Sequence, residues 1–300
     1  MNKTCVTSVV HGTDFQYYIP LFLYTLNVAY PEYDAQIFLT EELDAEVTKI
    51  VDTIKHDNNK ILLNKFDVKC MRKNSSNALR HLIPEANLSG YKYWHPTDID
   101  FLIFRQEMTH IDYYKHIMKK TCQPYAGARG PINGIRRLDV SPAGWVGDYQ
   151  RIAAGCFAAK IPEWFDKTRK SREKYMKIFA EDTNDEYDNQ KPGSYREYDE
   201  VMLFRIVRES NMVFPKKKDC FVYGKKMNAK YRSIHLGDFK FNKRWKNTER
   251  MKRILTQNNI EAFVRLEKDP KWLEISAACS SNTFVGDMLH RLRHHVRKRI

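Results

Sequence analysis

Two aspartates separated by one residue, Asp98 and Asp100, are the side chains of this chain whose type and spacing most directly suggest chemistry. They follow the aromatic run 91–94 and precede the four large apolar residues 101–104. In an extended segment, residues i and i+2 point to the same face, so the two carboxylates can converge while Ile99 points away. Paired oxygen ligands at the end of a buried strand suit Mg²⁺ or Mn²⁺.

The alternative interpretation of this pair is two acids that keep a loop solvated. The flanking apolar runs place the acids at the end of a core strand. An uncompensated charge is costly to bury there, and a bound cation would compensate the charges of the two carboxylates. The sequence therefore predicts a metal site.

The overall charge restricts the partners. The chain has 300 residues, 42% of them hydrophobic, and a formal net charge of +14. Such a charge favours nucleic acid, an anionic lipid surface or phosphorylated small molecules. The densest basic run, 290–300, is either a solvated helix end or a contact for an anionic membrane or a phosphorylated glycan carrier.

The cysteines and apolar runs bear on location. The six cysteines are scattered without a C-x-x-C pair, which predicts reduced thiols and no zinc site. The amino terminus lacks the pattern of a signal peptide, and no apolar run approaches the length of a membrane span. We expect a cytoplasmic protein, with peripheral membrane contact through the basic tail left open.

Strand and helix patterns alternate in the first third of the chain, which predicts an open, mostly parallel sheet of the α/β class. Ligands of such sheets bind beyond the carboxyl ends of the strands, so Val10 and His11 are further candidates for cofactor binding. The predicted strands are Thr4–Val10, Ala35–Thr40, Ile61–Val68 and the run that ends at the two aspartates; the predicted helices are Gln16–Ala29, capped by Asp14, Glu41–His56 and Ser75–Ile83.

The second part of the chain has a looser pattern. Turn-forming residues predict loops at 125–131 and 141–145 and a mobile loop at 180–194. Small residues mark 151–160 as a strand against which something large packs. The remaining predicted elements are helices at 162–179 and 197–208, a strand at 219–223, and basic helices from Asp238 to the end.

Five segments, in this order, resemble the GT-A-fold glycosyltransferases, most closely family eight and related retaining enzymes. The segments are the opening strand with Asp14-Phe15-Gln16-Tyr17; Asn77-Ala78-Leu79-Arg80-His81-Leu82-Ile83-Pro84; Thr97-Asp98-Ile99-Asp100; Ala153-Ala154-Gly155-Cys156-Phe157 with Trp164 and Tyr198-Asp199-Glu200-Val201-Met202-Leu203; and Ile234-His235-Leu236-Gly237-Asp238-Phe239-Lys240. The family usually places the glycine three residues after the histidine, and here Gly237 comes one residue early.

The resemblance implies roles for named residues. His235 would complete the metal site of Asp98 and Asp100, and Lys240 would contact the diphosphate of the donor. Tyr17 would stack on the base, and Arg80 would lie near the nucleotide or sugar. An acid near the transferred sugar or acceptor would come from Asp199 or Glu200.

The resemblance also implies a hexosyltransferase that needs Mn²⁺ or Mg²⁺ and a nucleotide-diphosphate sugar, with uridine diphosphate as the default carrier. The acceptor would be a glycan or a lipid-linked hydroxyl. A retaining mechanism is favoured, with an inverting one left open. The implied organisation is a catalytic domain over 1–245, with a nucleotide-sugar half at 1–105 and an acceptor half at 106–245, followed by a basic helical extension at 246–300.

Two other functions compete with this one. A metal-dependent nucleic-acid-processing or nucleic-acid-binding protein would also explain paired acids and a positive charge, although the basic residues are spread over the chain and nucleic acid is not the expected partner. A non-catalytic lectin-like protein could retain the fold. Individual candidates also have purely structural interpretations: His235 and His11 as turn histidines, Tyr17 as a core aromatic, and Arg80 and Lys240 as surface charges.

Overall fold

The computed structural model describes residues 3–54, 60–66, 76–130, 151–181, 199–213, 233–240 and 248–300. The strands are β1 (Thr4–Val10), β2 (Tyr33–Leu39), β3 (Ile61–Lys65), β4 (Tyr93–Pro96), β5 (Phe101–Leu102), β6 (Tyr125–Gly130), β7 (Arg151–Lys160) and β8 (Ile234–His235). The helices are α1 (Thr13–Gln16), α2 (Tyr18–Ala29), α3 (Ala45–Asp52), α4 (Ser76–Leu79), α5 (His110–Thr121), α6 (Ile161–Glu181), α7 (Asp199–Glu209), α8 (Thr248–Ile254), α9 (Gln257–Leu266), α10 (Pro270–Cys279) and α11 (Thr283–Arg297). Two 3₁₀ helices cover Glu85–Leu88 and Leu236–Phe239.

The strands form a six-stranded sheet in the order β3-β2-β1-β4-β7-β6 and a separate pair, β5-β8. The pairs β2–β3 and β1–β4 are parallel, whereas β7 is antiparallel to both β4 and β6. The predicted α/β class, with a mixed, mostly parallel sheet flanked by helices, is confirmed. Among the described helices, none has the length and apolar character needed to cross a membrane.

The chain divides into two compact units. The first comprises Met1–Val9, Phe66–Thr97 and Ile111–Tyr223. Its core contains the fully buried rings of Trp94, Tyr125, Phe157 and Trp164, which pack on one another. The predicted strand at 151–160 is confirmed as β7, and α7 packs against this strand.

The second unit comprises Val10–Lys65, Asp98–His110 and Gly224–Ile300. Helix α2 lies at its centre and buries nine of its twelve residues, because it is apolar almost all round. Helix α10 packs on α2 and α3, and α11 packs on the 3₁₀ helix at 236–239. The predicted helical carboxyl-terminal segment therefore belongs to the same compact unit as both aspartates. The division into domains at 245 stays a prediction.

Some predicted boundaries are wrong for identifiable reasons. Asp14 does not cap a helix, because Gly12 occupies the cap position of α1 and α2 starts separately at Tyr18. The helix predicted from Glu41 starts only at Ala45, since the Asp44 carboxylate accepts hydrogen bonds from two amides of the first turn. The helix predicted over 75–83 is the short α4, and the third strand ends at Lys65 rather than at 68.

The predicted loop at 125–131 is also wrong over 125–130, which form β6. Glycine favours turns in isolation. Here the segment pairs in antiparallel register with β7, with Tyr125 and Ala126 fully buried. The predictions for 141–145, for the loop after 181 and for a strand at 219–223 fall outside the described residues.

Candidate metal centre

The two aspartates follow strand β4 and do not lie in it, so the predicted alternation of side chains does not apply. Strand β4 ends at Pro96, a turn follows at 99–100, and β5 begins at Phe101. Strand β5 pairs with β8 in antiparallel register, with Phe101 opposite His235. The amide of Leu236 donates to the Asp100 carbonyl oxygen over 2.7 Å. Backbone pairing therefore brings His235 beside Asp100.

Asp98, Asp100 and His235 form a group in which each residue offers a ligand atom and these atoms all lie within 4.8 Å of one another. It is the one such group of three metal-ligating side chains in the described part of the chain. Two carboxylates and an imidazole form a donor set that Mn²⁺ accepts, and the carboxylates also suit Mg²⁺. The residues present therefore fit the predicted ion.

The imidazole of His235 lies between two carboxylates, one near each ring nitrogen. Its Nε2 lies 2.9 Å from Asp100 Oδ1, and its Nδ1 lies 3.6 Å from Oδ2 of the fully buried Asp238. The ring of Phe101 lies 4.8 Å from the imidazole, centre to centre. A buried carboxylate behind a ligating histidine fixes the orientation of the ring and raises its basicity.

Neighbouring charges shift the pKa values of Asp100 and His235 against the effect of burial. Burial acts to raise the pKa of Asp100, but the neighbouring His235 and Lys240 outweigh it and lower that pKa to about 2. Burial acts to lower the pKa of His235, but Asp100 and Asp238 outweigh it and raise that pKa to about 9. Asp100 and His235 thus form an ion pair at neutral pH, and a metal ion would take the place of the imidazolium proton.

Gly237 permits the close approach of these groups. A Cβ atom at this position would lie 2.6 Å from Asp100 Oδ2 and 2.8 Å from His235 Cε1. Real Cβ atoms essentially never show contacts under 3.0 Å, so the carboxylate or the imidazole would have to move. A residue with a side chain would fit at position 237 only if the Asp100 or His235 side chain moved.

The substitution Gly237→Ala is therefore expected to weaken Mn²⁺ binding by about tenfold, because at least one of the two ligands is displaced. Titration calorimetry with MnCl₂ measures this. The matched control is Gly90→Ala in the first unit, where φ is +86° and no atom lies within 4 Å of the added Cβ. That change strains the backbone by about 1 kcal/mol but is expected to leave Mn²⁺ affinity unchanged. Equal affinities in all three proteins would contradict the site.

Lys240 is the fourth predicted residue that the structure brings to the triad. Its Nζ lies 3.6 Å from Asp100 Oδ2. The same Nζ lies 5.1 Å from the ring centre of Phe15 and 5.6 Å from that of Phe284. The Lys240 side chain is 30% exposed, so it remains accessible to a ligand.

Three other candidates lie at or after the end of β1. The Val10 carbonyl oxygen accepts from the Thr40 amide over 3.2 Å, and His11 Nδ1 lies 2.8 Å from Thr40 Oγ1. The Tyr17 ring is buried, and its hydroxyl donates to Glu46 Oε2 over 3.0 Å. Burial and this hydrogen bond raise the pKa of Tyr17 to about 12. Their roles in nucleotide binding stay predictions.

The last three candidates belong to the first unit. Arg80 is buried there, immediately after α4. Asp199 and Glu200 are the first two residues of α7, and their side chains are not among those described. Their roles at the sugar or acceptor also stay predictions.

Sequence reasoning assigned no role to Gly237, Asp238, Phe15 or Phe284. The first three lie within the segments that carry the family resemblance. A carboxylate three residues after the candidate histidine was a signal that could have been used, because a 3₁₀ turn brings i and i+3 together. Phe284 carried no such signal, since it lies far from the motifs along the chain.

Comparison with known proteins adds three structures of low sequence identity. No family model and no curated protein matches the sequence. Glycosyltransferase GlyE of Streptococcus pneumoniae is similar at 10% identity and a TM-score of 0.40, covering 76% of this chain and 47% of its own. This chain therefore spans about half the length of GlyE.

Core-mannan synthase A of Aspergillus fumigatus, in a Mn/GDP form, is similar at 9% identity and a TM-score of 0.41, covering 74% of this chain and 73% of its own.

The mannosyltransferase Ktr4p of S. cerevisiae, in complex with GDP, is similar at 14% identity and a TM-score of 0.42, covering 78% of this chain and 71% of its own. All three are glycosyltransferases. At these identities and TM-scores, the function of this chain has to be inferred from its own site residues.

Proposed function

We propose that this chain is a metal-dependent glycosyltransferase that transfers a sugar from a nucleotide-diphosphate sugar to a hydroxyl of a glycan or lipid-linked acceptor. The observation that carries the proposal is the cluster of Asp98, Asp100 and His235 with the Lys240 ammonium 3.6 Å from Asp100. The default donor is a uridine-diphosphate sugar. A retaining outcome is favoured, on the resemblance alone.

The chemistry of the leaving group supports this proposal. Departure of a nucleoside diphosphate leaves negative charge on the phosphate oxygens, and a site that stabilises this charge accelerates the reaction. A divalent ion held by the triad would supply a Lewis acid for the diphosphate. Asp98 and Asp100 would also orient that ion on one side of the site.

Lys240 would contribute a second positive charge of its own. Its ammonium has three donors and in the described structure uses Asp100 as an anionic partner. When the Asp100 carboxylate binds a cation, its negative charge is neutralised. The Lys240 ammonium can then pair with a phosphate oxygen, which carries negative charge of the diphosphate. The same side chain thus neutralises the site when no donor is bound and the diphosphate when donor is bound.

The sugar-side chemistry would depend on the carboxylates and the arginine that the family resemblance implies. Asp199 or Glu200 is proposed to lie near the transferred sugar or its acceptor, and Arg80 near the nucleotide or sugar. A carboxylate near the reacting hydroxyl would serve as a proton acceptor in an inverting reaction. An inverted product would therefore support Asp199 or Glu200 as the proton acceptor, and a retained product would exclude that role.

The experiment is a donor panel. The full chain is incubated with uridine-, guanosine- and adenosine-diphosphate sugars and MnCl₂, and release of nucleoside diphosphate is followed with and without a chelator. The proposal expects release from one nucleotide series only and none with chelator. Release that survives the chelator, or none from any donor while salt-sensitive binding to RNA or DNA is strong, would overturn it in favour of the nucleic-acid alternative.

A further inference from the structure

The carboxyl-terminal helix α11 supplies an aromatic side chain to the site. Phe284 lies in the first turn of α11, where its amide donates to the Asn282 side chain over 3.1 Å. The Nδ2 atom of Asn282 in turn donates to Asp14 Oδ1 over 3.1 Å. These bonds fix the start of α11 against α1, so the position of Phe284 is determined by backbone and side-chain contacts together.

Phe284 and Phe15 face the same ammonium. Lys240 Nζ lies within 6 Å of both ring centres, the range in which a cation is attracted to an aromatic face. The two rings are themselves 6.0 Å apart and meet edge to face at 62°. Tyr18 completes the aromatic cluster, with ring centres 6.0 Å from Phe15 and 6.3 Å from Phe284.

Two further contacts hold α11 on this part of the molecule. The Tyr18 hydroxyl lies 3.2 Å from Met288 Sδ. Arg291 donates to the Phe239 carbonyl oxygen over 2.9 Å, at the end of the 3₁₀ helix that separates His235 from Lys240. The helix is therefore attached both at the aromatic cluster and at the segment that carries the site residues.

We infer that Phe15 and Phe284 form an aromatic clamp that positions the Lys240 ammonium for the diphosphate of the donor, so that α11 is part of the donor site and not an appendage. The inference rests on the proposed function. A lysine has a flexible four-carbon stem and several rotamers to lose on binding. A clamp that restricts it beforehand lowers that cost and raises the affinity for the anion.

The clamp would also keep the Lys240 ammonium beside the site after it separates from Asp100. An aromatic face attracts a cation over a range of positions, whereas a hydrogen bond to a carboxylate oxygen needs one position. Lys240 can therefore exchange a carboxylate for a phosphate oxygen while both aromatic contacts persist. Phe15 and Phe284 are positioning residues in this account, because they act through Lys240.

Calorimetric titration of the full chain with inorganic pyrophosphate at saturating MnCl₂ tests the clamp. Phe284→Leu, which keeps an apolar side chain but removes the ring, is expected to weaken pyrophosphate binding about threefold. The double variant Phe15→Leu/Phe284→Leu is expected to weaken it about tenfold. Phe284→Tyr, which retains an aromatic face, is expected to restore the affinity. Affinity for Mn²⁺ alone should be the same throughout.

A double-mutant cycle with Lys240→Met separates the clamp from a merely structural role. In the Lys240→Met background, Phe284→Leu is expected to have no further effect on pyrophosphate affinity. The same threefold loss in both backgrounds, or no loss in either, would overturn the clamp. If a melting experiment shows that Phe284→Leu does not fold, the same cycle is carried out with Phe15→Leu, which removes the other ring. Pyrophosphate affinity in the two backgrounds is then compared in the same way.

The cycle also distinguishes the clamp from the function on which it rests. A loss with Lys240→Met but none with either leucine variant would refute the clamp and leave the proposed phosphate site standing. Pyrophosphate affinity that is unchanged by Lys240→Met, or absent in the unaltered chain, would refute both.

Discussion

Replacing Asp100 by asparagine is expected to reduce Mn²⁺-dependent sugar transfer by about a hundredfold to a thousandfold. Asparagine has the same shape but lacks the charge that Asp100 offers to a cation, to His235 at 2.9 Å and to Lys240 at 3.6 Å. Loss of one buried charged ligand removes stabilisation from the leaving diphosphate, where single electrostatic contacts are worth about two to three orders of magnitude in rate. Initial rates with the best donor, compared with the unaltered chain, measure the effect.

The matched control for this change is Asp112→Asn. Asp112 forms an exposed i,i+3 ion pair with Lys115 at 3.0 Å on α5. Such a surface pair contributes little, so the control is expected to keep its activity and its melting temperature. An Asp100→Asn protein that folds and retains more than about a tenth of the unaltered rate would contradict the assigned role of this carboxylate.

Replacing Arg172 by methionine is expected to lower the free energy of unfolding by about 2–4 kcal/mol. Arg172 is buried in α6, donates to the His81 carbonyl oxygen over 3.0 Å and also donates to the Ile83 carbonyl oxygen. Its guanidinium lies 4.1 Å from the Phe165 ring centre. Methionine fills similar space but leaves two buried carbonyls without these donors. Urea denaturation, followed by tryptophan fluorescence, measures the change.

Arg169→Met is the control, one turn earlier on the same helix. Arg169 is exposed and lies 3.4 Å from Glu85, so its loss is expected to change the stability by less than about 0.5 kcal/mol. Burial lowers the pKa of Arg172 to about 9, which still leaves the guanidinium charged at neutral pH. Equal stabilities for the two variants would show that the carbonyls find other donors and that Arg172 is not structurally important.

The local patterns predicted most elements near the site but not the geometry of the site itself. Strands β1 and β2 and helix α2 were readable because their apolar residues recur at the period of the element. Ligand atoms of Asp98 and Asp100 lie within 4.8 Å of each other, but not through the extended geometry that was expected, and the role of the pair at a metal stays a prediction. The extended strand that was expected ends at Pro96, and a turn together with the β5–β8 pairing brings the acids to His235.

The features that sequence reasoning missed depend on contacts between distant parts of the chain. Gly237 was noted only for its unusual spacing from His235, whereas its lack of a side chain is what leaves space for Asp100. Phe284 lies within a segment that was assigned to a basic extension. It reaches Lys240 because α11 packs on the 3₁₀ helix at 236–239, and no local pattern encodes that packing.

The assignment of the metal to Asp98, Asp100 and His235 can be tested by anomalous diffraction at the manganese edge, from crystals of the full chain grown with MnCl₂ and uridine diphosphate. We expect one strong peak within about 2.0–2.3 Å of ligand atoms of Asp98, Asp100 and His235, with diphosphate oxygens completing the coordination and Lys240 in contact with one of them. A manganese peak elsewhere with this triad still closed by its own ion pair, or no peak at saturating Mn²⁺, would contradict it.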